Sequence, residues 1–390
     1  MQTDLDFRKA LISCFQSAFF VLFLLGIYFV HVPWNIQRLN ISESQLGIGI
    51  LVFGVANFIF NQITGRVLIP KFGTKNSMLF GIIIFSASPL LLVSALDYTS
   101  FLISWIPLGI GIGLFMPSAQ TQISLIELKA KRILTPLFQA SFSCGALFGA
   151  LISGYLISYI TDPRITFALI GLIGLISSWV IYLIGLPNHL DPKDKVEKFS
   201  FPKFNIFIFG IMLMFFYASI GIIIDWSALW LTKDLMAPLY LGGLIIIFFN
   251  LGEIISRLMA ERLIKYLGET FVGGYLAILS SLILAIAITT LDLKFIIPGI
   301  FIFGFGTANF ISVVIVGAVK ISDQTLSITV SNLITIGFAG FIFGPAIVGF
   351  LAENYGLTFN MYLLGILMFS ISSLMLLIMN TSNSSAQKIN

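Results

Sequence analysis

Charge is scarce in this sequence. Only 10% of its 390 residues are Asp, Glu, Lys or Arg, 58% are hydrophobic, and the mean hydropathy is +1.04. A soluble domain could not solvate such a surface. Cysteine is nearly absent as well. Cys14 and Cys144 both lie inside apolar runs, where they read as small buried residues, which excludes a disulfide framework. There are two histidines, His31 and His189, and no cluster of residues with metal-ligand spacing. No P-loop and no paired nucleophile and base are visible, so the chain does not read as an enzyme, needs no cofactor or metal, and holds no ATP-driven motor of its own. Gly109-Ile-Gly-Ile-Gly113 imitates a nucleotide fingerprint, but no strand precedes it and it lies within an apolar run. Ten-residue alternating segments are also missing, which excludes a membrane barrel.

What is present is one apolar run of about 20 residues after another. Backbone groups in lipid must pair internally, so these runs are helices. They fall near 9–33, 44–69, 77–96, 100–125, 135–160, 164–186, 204–231, 240–263, 270–291, 295–318, 325–351 and 358–379. The first run is too long for a signal segment and no small-residue cleavage site follows it, so it reads as helix 1. With the N-terminus inside, 17 of the 21 basic residues fall on the cytoplasmic side, leaving Arg38, Arg164, Lys233 and Lys294 outside. That bias predicts both termini inside. The net charge of +4 then reflects topology, and no nucleic-acid partner is implied.

The second half of the chain copies the first at an offset of 195 residues. Between Gln45–Gly73 and Tyr240–Gly268, eight of 29 positions are identical, against about one in ten by chance. Gly145–Leu156 and Gly340–Leu351 share six of 12, including the GxxxG pairs Gly145/Gly149 and Gly340/Gly344. Small residues at that spacing let helix backbones approach closely in lipid. The fold class expected is an all-α integral membrane protein, with twelve transmembrane helices in two pseudo-symmetric six-helix bundles. The bundles are expected at 1–186 and 204–380, joined by a polar, proline-rich cytoplasmic linker at 187–203. A Ser/Asn-rich, disordered tail is expected at 381–390. Such duplicated architecture in a membrane points to a carrier whose substrate sits between the halves.

An ionisable residue inside a span is costly and calls for a reason. Helices 1 to 6 carry none near mid-depth, whereas the second half carries Asp225, Glu253 and Arg257. The repeat places Phe58 opposite Glu253 and Gln62 opposite Arg257, so the scaffold did not dictate these charges. Glu253 reads either as a proton carrier or as half of an i,i+4 ion pair with Arg257, extended by Glu261. Asp225 stands beside Trp226, with Trp230 one turn on. An acid next to an indole suits a sugar or a cation, or marks a helix end with interface tryptophans. Uncharged polar residues in the spans include Asn57, Asn61, Gln62, Gln120, Gln122, Gln139, Asn250, Asn309 and Asn332. Each is either a ligand or an interhelical hydrogen bonder.

Twelve helices in two halves with a basic central loop resemble the major facilitator superfamily over the whole chain. The family signature between helices 2 and 3, G-x-x-x-D-R-x-G-R-[RK], is matched by Gly65, Gly73 and Lys75, with Ile69 and Pro70 in place of the acid and arginine. The missing acid removes a charge that in the family helps close the cytoplasmic side. A narrower resemblance is to the bacterial group of the rhizopine-associated membrane protein, a relative of the fucose-permease type. It rests on Pro33, Ile41-Ser42, Leu46-Gly47, Lys71–Lys75, Asp225-Trp226, Arg257, and Gly344-Pro345 with Gly349 and Glu353–Leu357. Met116, Gln120, Gln139 and Ile220 stand where such relatives often carry an acid, an asparagine, a histidine and a glutamate, so substrate identity does not transfer.

The resemblance implies a monomer in the bacterial inner membrane that moves a small polar, sugar-like or other solute by alternating access. Proton coupling would reside at Glu253 or Asp225. Rival readings are a uniporter, a drug or metabolite exporter, and a non-transporting sensor or scaffold of the same fold. In the resembled fold helices 1, 4, 7 and 10 line the cavity, which adds weight to Gln16, Tyr28, Gln120, Asp225 and Asn309. Asn250, Gln139 and Trp226 complete the expected substrate set.

Overall fold

The computed structural model describes residues 2–130, 134–187, 204–321 and 326–387. Of the expected linker, only Pro187 falls within them. Lys131, Arg132, His189, Lys193, Lys195, Lys198, Lys203 and Lys388 lie outside, as do the side chains of Glu261 and Asn332.

The described residues contain no strand, and twelve helices are long and apolar enough to cross a membrane. They are α1 (Asp6–Val30), α2 (Glu43–Ile63), α3 (Ile69–Ser94), α4 (Tyr98–Glu127), α5 (Leu137–Tyr159) and α6 (Pro163–Ile184), followed by α7 (Ile206–Lys233), α8 (Leu239–Ala260), α9 (Phe271–Thr289), α10 (Leu293–Ala318), α11 (Ile336–Tyr355) and α12 (Leu357–Ile378). The chain divides into two compact units, residues 1–197 with 238–243, and residues 198–237 with 244–390. The short segment 238–243 groups with the first unit because its backbone lies on α5. A Cβ on Gly154 would meet Tyr240 O at 2.6 Å, and one on Gly243 would meet Ala150 O at 2.8 Å.

Each unit repeats the same internal packing. In the first, α1 packs on α5 and α6, α4 on α2 and α3, and α3 on α6. In the second, α7 packs on α11 and α12, α10 on α8 and α9, and α9 on α12. The 195-residue offset extends to single contacts. Gly145 abuts Phe19 O and Gly340 abuts Met214 O, each so closely that a Cβ would collide with the carbonyl. Gly73 and Gly268 both have positive φ, 83° and 84°, Gly73 at a non-helical kink near the start of α3 and Gly268 at the matching turn beyond α8. Asp97 and Asp292 both cap a following helix, accepting from Ser100 N at 2.7 Å and Lys294 N at 2.9 Å.

Some boundaries differ from those expected. The last helix continues to Gln387, past Asn380, where composition predicts a disordered tail. Serine and asparagine cost only about 0.5 kcal/mol per residue in a helix already begun, so such a sequence can extend one. Ser42 forms a capping box that starts α2. Its Oγ accepts from Gln45 N at 3.3 Å and its N–H donates to Gln45 Oε1 at 2.9 Å.

Candidate substrate and coupling site

The membrane depth of α7 is interrupted. An α-helix runs Phe204–Gly221, a π turn occupies Ile222–Trp226, and a seven-residue helix comes next at Ser227–Lys233. Three successive isoleucines, stiff at χ1, form the first part of this turn, where β-branching weakens the α register. The π turn inserts one extra residue and re-aims the chain beyond it. Asp225 lies on that turn. It is 9% exposed, and among the described residues no hydrogen bond or ion pair reaches its carboxyl group. Trp226 is fully buried, and neither its Nε1 nor the neighbouring Ser227 Oγ has a hydrogen-bond partner among the described residues. The π-turn segment packs against α8, α11 and α12.

Glu253 and Arg257 take the other course. Arg257 Nη2 donates to Glu253 Oε1 across 2.7 Å, one turn apart on α8. Nearby, α10 breaks after Thr307, and Asn309 in the break donates from Nδ2 to Ser256 Oγ at 3.0 Å. Asn250 is buried but turns back on its own helix, donating from Nδ2 to Ile246 O at 2.8 Å. Among the described residues of the second unit, the buried carboxylate of Glu253 engages an arginine and that of Asp225 meets no partner.

In the first unit one of the expected residues, Gln16, is committed to the fold, whereas the buried hydroxyl of Tyr28 has no hydrogen-bond partner among the described residues. Ser177 Oγ on α6 donates to Gln16 Oε1 at 2.8 Å, and Gln16 Nε2 donates back to Ser177 O at 3.3 Å. Gln16 is thus a two-way clamp between α1 and α6. Tyr28 is fully buried, edge-on to Trp105 at 5.5 Å and to Phe167 at 6.0 Å between centroids. Gln120 on α4 and Gln139 on α5 are half-buried.

The hub of this unit is Gln122, outside the expected substrate set but one of the residues expected to be a ligand or an interhelical hydrogen bonder. It is fully buried, donates from Nε2 to Thr74 Oγ1 at 3.1 Å, and accepts from Cys14 Sγ at 3.5 Å, tying α4 to α3 and α1. Only a glutamine within an apolar span pointed to it. At the altered signature, Lys75 Nζ stands 5.5 Å from the centre of the Tyr182 ring, a cation–π contact onto α6.

These features define a class: an all-helical membrane carrier fold made of two like units, with a buried acid on a broken helix of the second. The family model of the Major Facilitator Superfamily matches residues 14–324, and the chain belongs to that superfamily. An uncharacterised MFS-type transporter of Yersinia pestis is 25% identical over 330 residues, covering 83% of each chain. The membrane protein MosC of Rhizobium meliloti, the rhizopine-associated protein of the narrower resemblance, is 22% identical over 358 residues, covering 90% of this chain and 86% of its own. Among solved structures, a bacterial homolog to the human lysosomal transporter Spinster, in an inward-facing and unoccupied conformation, superposes with a TM-score of 0.75. It is 14% identical over 96% of this chain and 97% of its own, a likeness of fold alone.

Proposed function

We propose that this superfamily transporter is a secondary carrier of a small polar solute, loaded at Asp225. The observation that carries the reading is the contrast within the second unit. Glu253 meets an arginine at 2.7 Å, while Asp225 is buried on a π turn with no partner among the described residues. A carboxylate in that setting cannot bear its charge cheaply. Its neutralising partner must arrive during the cycle, as a proton or as a cationic group on the solute. A proton is the simpler load, since it serves a neutral sugar-like solute equally well. The two units then expose the loaded site alternately to each side of the membrane. Glu253 and Arg257 hold α8 together and carry no proton in this scheme. The carrier works as a monomer in the bacterial inner membrane, with both termini inside.

The test begins with a thermal-shift screen of sugars, amines and carboxylates on the purified chain, then measures flux of the stabilising compound into proteoliposomes. Asp225→Asn is expected to abolish uptake driven by a pH gradient while keeping exchange of solute for solute. Glu253→Gln is expected to keep both. Uptake by Asp225→Asn that still tracks the pH gradient overturns the reading.

A further inference from the structure

The C-terminal end of α7 is fastened to the start of α12 through one threonine. Thr358 N and Thr358 Oγ1 both donate to Asp234 Oδ2, each across 2.8 Å. Trp230 Nε1 donates to Thr358 Oγ1 across 2.9 Å. An indole N–H can only donate and a carboxylate can only accept, so the hydroxyl must accept from Trp230 and give its proton to Asp234.

Both sides of this clasp are helix ends that need it. The chain leaves α11 through Gly356, whose φ of 85° turns it into α12 at Leu357. Thr358 N belongs to the first turn of α12 and has no acceptor within its own helix. Asp234 supplies one from another helix and sets a negative charge at the positive end of the α12 dipole. Asp234 is itself held by the closed end of α7. Asp234 N and Leu235 N donate to Trp230 O at 3.0 and 3.2 Å, and Ala237 N donates to Leu231 O at 2.8 Å.

Trp230 and Asp234 are four residues apart on the short helix Ser227–Lys233 and its cap, and both are tied to Thr358. That helix joins the rest of α7 only through the π turn carrying Asp225. Conversion of a π turn to an α turn slides everything beyond it by one residue, a rotation of about 100°. Two anchors on one face oppose that rotation. We propose that Asp234, acting through Thr358, is a positioning residue that holds the π turn in register and keeps Asp225 in its buried place. Its consequence for transport rests on the reading of Asp225 as the loading site. The clasp itself does not. Because the Asp234 end is exposed, water competes for these bonds, and the clasp is a reversible one.

The test uses the full chain in lipid nanodiscs without substrate. Hydrogen exchange is measured in peptides covering 222–230. Labelling of Asp225 by dicyclohexylcarbodiimide, which adds to protonated carboxyl groups in apolar surroundings, is read at the residue by mass spectrometry. In Asp234→Ala and Thr358→Val, exchange in 222–230 is expected to rise about tenfold while peptides of α1–α6 stay unchanged, the mark of local opening. Asp225 labelling at pH 7 should fall about threefold as water reaches the group, and Thr358→Ser should restore both readouts. Unchanged exchange in both variants overturns the clasp. Faster exchange with unchanged Asp225 labelling overturns its positioning role. Should Asp225→Asn transport normally, the loading reading falls alone, and these substrate-free measurements still decide the clasp.

Discussion

Arg257 Nη2 donates to Glu253 Oε1 across 2.7 Å, with the guanidinium side chain 20% exposed and the carboxylate side chain 8% exposed. Removal of one partner from such a pair costs more than replacement of both. Arg257→Ala is therefore expected to destabilise the carrier by about 1–3 kcal/mol, discounted for the partial exposure of the arginine. The double change Glu253→Gln with Arg257→Gln should recover most of that loss. Thermal melting in one detergent compares the three, and a single mutant that melts like the parent would refute a stabilising role.

The close approaches of Gly145 to Phe19 and of Gly340 to Met214 leave no room for a methyl group. Gly145→Ala and Gly340→Ala should each destabilise their unit by about 1–3 kcal/mol through overpacking. Gly65 has nothing within 4 Å of its Cβ position, so Gly65→Ala serves as the control and is expected to melt within a degree or so of the parent. Equal melting of all three variants would contradict the packing argument.

Gln16 and Ser177 exchange hydrogen bonds in both directions. A double-mutant cycle of Gln16→Ala and Ser177→Ala should show a coupling of about 0.5–1.5 kcal/mol in stability. Solute affinity should move little in either mutant. A large loss of affinity for Gln16→Ala without coupling would return this residue to the substrate.

Asp97 lies between α3 and α4 and accepts from the backbone N and the hydroxyl of Ser100 at 2.7 and 2.8 Å. These bonds, the backbone one first, hold its carboxyl below the ordinary value of 3.8. A depressed folded-state value means the folded chain binds fewer protons than the unfolded one. The capping contribution is then complete above the ordinary value and is lost as the pH falls through the lower folded-state value. The melting difference between the parent and Asp97→Asn should be constant at neutral pH and shrink only in strong acid. A difference that grows on acidification would reverse the assignment.

The membrane, the helices and the duplication were legible in the sequence because lipid allows no other pairing of backbone groups, and because repeated glycines mark repeated contacts. The identities at Gly145/Gly340 and Gly73/Gly268 became matching close approaches and matching positive φ values. The candidate site was only half legible. Asp225, Glu253 and Arg257 announced themselves as charges in apolar runs, and the spacing of Glu253 and Arg257 allowed the pair that forms. The commitment of Gln16 to Ser177 and the partners of Gln122 were not legible, because a helical sequence specifies which face a side chain occupies but not what stands opposite.

By itself, then, the amino-acid sequence determined that this chain is a duplicated, twelve-helix membrane protein. Each span must satisfy its own backbone within about 20 residues, and that requirement is local. The tertiary structure decided which polar side chains are spent on holding helices together and which are left open. Hydrogen-bond partners such as Ser177 for Gln16 and Thr358 for Trp230 lie more than a hundred residues away, and only packing brings them within reach. It also decided that α7 breaks into a π turn at Asp225, a change of one residue in register that no residue type on its own specifies.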